Sequence, residues 1–149
     1  MSAPHVPSRL LLAGESFGPS LGCERVLAAL DHGLQAGGLP AADLCALDPG
    51  AEREGDVAGM LATLHFDARL RRARALVLAA RRLAPDLLVG AVTFEIATRA
   101  RQAGVPAFAV ARESSLGSFE ARILDLQAVI VAPSARSLLA AGRRLADII

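Results

Sequence analysis

Residues 75–80 read Ala-Leu-Val-Leu-Ala-Ala, with no charge and no turn residue among them. A short apolar run of this kind suits a parallel strand covered on both faces, where neither row of side chains meets water. The residues after it show how it is covered. Val92, Ile96, Ala100 and Ala103 recur at helical spacing, and Gly104 and Pro106 then stop the helix. Pro106–Ala111 follows as another apolar run, so strand, helix and strand succeed one another.

The same alternation extends in both directions. Leu10–Ala13 gives a first strand soon after Pro7, and its loop, Gly14–Pro19, leads to Ser20, placed to cap a helix. In that helix Val26, Leu27, Leu30 and Leu34 share one face, while Arg25, Asp31, His32 and Gln35 turn away from it; Gly37-Gly38 ends it. Asp43–Leu47 reads as a second strand, Asp48–Asp56 as a turn-rich acidic loop with Pro49, Gly50 and Gly55, and Val57–Leu64 as a short helix. Ala128–Ala132 is the fifth strand. Ser134 caps a last helix with Leu138, Ala141, Leu145 and Ile148 as its buried stripe and with Arg143 and Arg144 near its C-terminus. The expected architecture is α/β: a three-layer, mostly parallel, doubly wound (Rossmann-like) sheet with helices on both faces, as a single domain over residues 1–149.

Composition narrows the chemistry. The chain has 149 residues with 53% hydrophobic and only 3% aromatic, and it contains no Lys, Asn, Trp or Tyr, so all 16 basic residues are Arg. Schiff-base and phosphate-binding lysine chemistry is therefore excluded. A net charge of +1 argues against nucleic acid as a partner, as does the lack of Tyr and Trp for base stacking. Charged residues interrupt every apolar run before it reaches membrane-spanning length, and residues 1–7 do not read as a signal peptide, so no membrane and a cytoplasmic location are expected. Cys23 and Cys45 match no metal-ligand spacing and read as buried, reduced thiols. Arg69, Arg71, Arg72 and Arg74 read as a solvated, partly ion-paired face. His5, His32 and His65 are scattered, with His65 partly buried, and suggest no hydrolytic triad.

In a doubly wound sheet, ligands bind beyond the carboxyl ends of the strands, which singles out four loops. The first carries Glu15, a candidate base or metal ligand, and Ser16, a candidate anion contact before a helix N-terminus. The second carries Asp48, Glu52, Glu54 and Asp56, enough carboxylate to hold Mg²⁺; Asp48 is the foremost candidate because it directly follows a strand. The third, Arg81–Gly90, offers Arg81 and Arg82 for bidentate carboxylate or phosphate binding, and the fourth begins at Arg112.

Together these segments resemble the bacterial type of glycerate kinase. Leu11–Val26, with Glu15-Ser16-Phe17-Gly18, is similar to that family's opening strand, Asp-Ser-Phe-Lys loop and first helix. Asp48-Pro49-Gly50 resembles the start of its Ala-Asp-Gly-Gly-Glu-Gly-Thr motif. Phe66–Leu70 through Ala75–Leu78 resembles the segment leading to Thr-Gly-Glu-Gly-Arg-Leu-Asp, and Gly90–Ala111 its Gly-Lys-Val-Pro helix and the strand after it. The resemblance implies the first-domain fold of that family, with the family's middle section missing between about Asp56 and His65, and it implies ATP and Mg²⁺ as cofactors if activity is retained. Ser16, Phe17, Asp48 and Arg82 match its motifs.

The departures fall on the charged positions. Gly18 and Ala91 stand where the family has lysine, and Ala79–Ala84 lacks both carboxylates of its Gly-Glu-Gly-Arg-Leu-Asp segment. Phosphoryl transfer depends on positioned cations and carboxylates, so the resemblance implies a glycerate-kinase-like protein with lost or greatly reduced activity. Such a protein binds a small anionic ligand through Ser16, Arg81, Arg82 and Arg112, or acts as an oligomeric or partner subunit. The apolar content makes a homo-oligomer the expected state. The alternative is an active ATP- and Mg²⁺-dependent glycerate kinase in which Glu15 and Asp48 are catalytic.

Overall fold

The apolar runs form β1 (Leu11–Gly14), β2 (Asp43–Ala46), β3 (Leu76–Leu83), β4 (Ala107–Ser114) and β5 (Leu126–Val131) in the computed structural model, which describes residues 9–48, 50–87 and 91–149. Residues 1–7 with His5, Pro49, and Gly90 lie outside the described residues. The helices are α1 (Cys23–Ala36), α2 (Gly50–Glu54), α3 (Val57–Thr63), α4 (Phe66–Arg71), α5 (Val92–Gln102), α6 (Ser118–Ile123) and α7 (Ala135–Ile148). All four strand pairings are parallel, in the order β2-β1-β3-β4-β5. The fold is thus an α/β, Rossmann-like three-layer sandwich. The chain steps outward from β1 to β2 and then returns to the other side of β1 for β3, so winding reverses between β1 and β3.

Strand alternation divides the core between the two faces. Leu10, Leu12, Val77, Ala79, Phe108 and Val110 pack against the stripes of α1 and α7. Leu11, Ala13, Leu76, Leu78 and Ala109 pack against Leu61 of α3, Phe66 and Leu70 of α4, and Ile96 of α5. The α1–α7 layer is unusually tight because two glycines meet. A methyl group at Gly33 would strike the Leu139 carbonyl and lie 2.9 Å from the Gly142 Cα, and one at Gly142 would lie 2.9 Å from the Gly33 Cα. Ser134 caps α7 in a reciprocal capping box with Ser137.

Several sequence expectations need correction. Ser20 does not cap α1; Gly22 does, without a side-chain bond, because Gly18–Leu21 forms its own turn ahead of the helix. Asp48–Asp56 is not wholly loop, since Gly50–Glu54 makes one helical turn and then a break at Gly55. Residues 66–71 form a helix, α4, where only an arginine-rich face was read, and Arg69 of that helix makes a two-pronged ion pair with Asp43 at 2.7 and 3.0 Å. α6 was not anticipated either. Its six residues bury none of their side chains, so it carries no apolar stripe to read. Ala103 and Ile148 were read as inward but are exposed, each at the fraying end of its helix. His65 is exposed, at the left-handed residue that starts α4. Among the described residues, no helix is long and apolar enough to cross a membrane.

Candidate functional site

β3 and β4 run on together past the ends of their neighbours. β1 stops at Gly14 opposite Ala79, and β5 stops at Val131 opposite Ala111, while Arg82 still pairs with Glu113 and Leu83 with Ser114. Arg81, Arg82 and Arg112 therefore stand on strands and not in loops, held by a ladder the sequence pattern conceals because its outer residues are polar. This two-stranded extension forms one wall of a crevice of about 420 Å³ at the carboxyl ends of β1 and β3. The crevice opens where the winding direction reverses, the usual binding position in open α/β sheets.

Glu15 takes over from the strand at the floor. Its N–H continues the ladder to the Ala79 carbonyl at 3.1 Å, and its side chain Oε1 accepts the Arg81 N–H at 2.7 Å. The carboxylate thus replaces the next residue of β1. Burial pushes the Glu15 carboxyl above its ordinary value, the Arg81 N–H pulls it down, and the negative charge of Glu52 raises it again.

Ser16 lines the crevice, but its hydroxyl is already engaged. It accepts the Gly18 N–H at 3.1 Å and donates to the Gly18 carbonyl at 2.9 Å, closing a local turn. Phe17 anchors that turn by complete burial, a contribution of about 2–3 kcal/mol. At Gly18, φ is +136°, a region that a side chain rarely tolerates. The Arg112 guanidinium lies above it, with Nη1 3.8 Å from where a Cβ would stand.

The opposite wall comes from the start of α5. Ala91 precedes this helix and supplies no capping side chain, so the first N–H, that of Val92, is bonded by Oε1 of Glu52 from α2. Glu52 was read only as one carboxylate of an acidic cluster. The signal for its role is the absence of Ser, Thr, Asp or Asn at residue 91, which leaves an orphan N–H that a distant acceptor must satisfy.

Asp48 lies elsewhere. It lines a second hollow of about 360 Å³ with Ala51, Asp56 and Met60, and its Oδ1 accepts the Gly50 N–H at 2.8 Å. Asp56 caps α3 through the Gly59 N–H at 3.1 Å. Three of the four acidic residues of this segment, Asp48, Glu52 and Asp56, are therefore committed to separate backbone N–H groups, and among the described residues no three metal-binding side chains gather. The donor set does not fit a Mg²⁺–nucleotide: Glu15 and Asp48 are in different hollows, and Gly18 and Ala91 bring no cation. Cys23 and Cys45 are unpaired, and burial pushes both thiols up. They lie on opposite faces of the sheet.

The chain is therefore a doubly wound α/β protein with a mixed-charge crevice at its winding reversal. No protein-family model matches the chain, and no curated protein matches it either.

Proposed function

We propose that this chain is a glycerate-kinase-like protein of the cytoplasm that binds a small anionic ligand in the crevice and has lost most or all phosphoryl transfer. One observation carries the reading. Gly18 and Ala91, which stand where the resembling family has lysine, are distant in sequence, yet both line the crevice that holds Glu15, Ser16, Arg81 and Arg82. Two of the separately matched segments thus meet at one place, and the missing cations are missing from that place, whereas Asp48 of a third lines the other hollow. Arg81 and Arg82 supply forked donors suited to a carboxylate. The positioned charge that transfer requires is absent.

Titration calorimetry with D-glycerate, alone and with ATP and Mg²⁺, tests this beside a coupled phosphate-transfer assay. Heat from glycerate with no transferred phosphate is the expected result. No heat from glycerate or other small hydroxy acids overturns the binding half of the proposal, and phosphorylated product overturns the other half in favour of an active ATP- and Mg²⁺-dependent kinase.

Self-association is a second reading, favoured by the exposed apolar side chains at the β5 edge. Phe119 and Ile123 of α6 are 70% and 42% exposed, and Val131 of β5 is 54% exposed, next to unpaired strand backbone. Light scattering at micromolar concentration should give a dimeric mass that Phe119→Glu reduces to monomer. A monomer without the substitution rules it out.

A further inference from the structure

The crevice holds unpaired charges of both signs. Glu15 and Glu52 each commit one carboxylate oxygen to a backbone N–H, of Arg81 and Val92 respectively, and neither makes an ion pair among the described residues. Arg81 makes none either, and Arg82 reaches Asp86 and Glu113 only at 3.5 and 3.9 Å with its side chain 48% exposed. A simple anion would satisfy the guanidinium groups but would face two carboxylates with no counter-charge. A ligand bearing a cation beside its anion satisfies both.

We infer that the crevice takes a small α-amino acid zwitterion, its carboxylate on Arg81 and Arg82 and its ammonium between Glu15 and Glu52. This rests on the reading of the two arginines as the carboxylate-binding pair and adds the second half of the ligand. An ammonium group carries three donors, so it can use the carboxylate oxygens that the backbone leaves free. Burial first, and the Glu52 charge in part, raise the proton affinity of Glu15, so a cation held between the two carboxylates would favour its ionised form. The charged and titratable groups around it are Glu52 from α2, Arg81 on β3 and the Cys23 thiol from α1, with Arg82 on β3 across the crevice.

Serine and glycerate decide the matter, because they differ only in carrying an ammonium or a hydroxyl at the same carbon. Calorimetry on the full chain with D-serine, L-serine and D-glycerate should show one serine enantiomer binding roughly tenfold or more tightly than glycerate. Serine affinity should rise with pH as Glu15 ionises. Glu15→Gln and Glu52→Gln, which keep an oxygen acceptor for the backbone N–H, should weaken serine and tighten glycerate, so that the preference for serine is lost. Glycerate binding equal to or tighter than serine overturns the inference and leaves the proposed function standing. So does glycerate binding that requires Mg²⁺, which would assign the two carboxylates to a metal. No binding by any of the three overturns both.

Discussion

Two hollows of nearly equal size lie on this molecule, and they use the same residue types in opposite ways. The groove between α4 and α5, about 450 Å³, is lined by Asp67, Arg71, Glu95 and Arg99; the strand-end crevice, about 420 Å³, is lined by Glu15, Glu52, Arg81 and Arg82. In the groove, Arg99 donates to Asp67 at 3.0 Å and to Glu95 at 3.0 Å, so its charge is consumed holding two helices together. In the crevice the carboxylates are bonded to backbone, Arg81 makes no ion pair among the described residues, and Arg82 reaches carboxylates only at 3.5 and 3.9 Å. Size and composition do not separate a structural groove from a candidate site. The state of the charges does.

The largest effect expected from breaking this contrast is on binding. Arg81→Ala with Arg82→Ala should weaken carboxylate binding about a hundredfold or more, since hydrogen bonds to charged groups contribute about 1.5–3 kcal/mol each. The melting temperature should barely move, because neither side chain is buried. Calorimetry and thermal denaturation of the double variant read the two quantities separately.

Arg99→Ala should do the reverse: a stability loss of about 1–2 kcal/mol by denaturant titration, held down by the partial exposure of both carboxylates, with ligand affinity unchanged. A smaller stability loss, about 1 kcal/mol, is expected for Ser16→Ala, because its hydroxyl closes the Gly18 turn. A fall in affinity larger than the fall in stability would instead place Ser16 on the ligand.

The smallest effect sharpens the comparison through pH. A carboxyl whose folded proton affinity is raised destabilises the fold when ionised, fully above its folded pKa and not at all below its ordinary value near 4.5. Glu15→Gln should therefore be slightly more stable than the natural chain at neutral pH, and the gain should vanish as the medium is acidified. Equal stability at both ends of that range would mean the Glu15 charge is already neutralised.

The architecture was legible because buried parallel strands are written in uninterrupted apolar residues: Ala75–Ala80 and Pro106–Ala111 needed no other clue. The strand ends were not, because Arg81, Arg82 and Glu113 are polar and yet paired, and the pattern stops where the core stops, before the ladder does. α4 is not legible in the same way because its six residues bury only Phe66 and Leu70, too few to write a helical period. The rule about strand ends singles out Glu15, Ser16, Arg81 and Arg82 together with Asp48 and Arg112, and of these only the first four line the crevice. That Asp48 belongs to a different hollow depends on Asp48 closing its own turn and on Glu52 reaching across to α5, contacts between segments that no spacing along the chain encodes.

The meeting of Gly33 with Gly142 also sets an order of events in the life of the chain. α1 is made early, and its apolar stripe shares a layer with one helix among the described residues, α7, which is made after every other described element. Until α7 is made, Val26, Leu27, Leu30 and Leu34 therefore have no helix beside them. In that interval the uncovered stripe is apolar surface open to aggregation. A bulkier residue at either glycine would prolong that exposure into the finished protein.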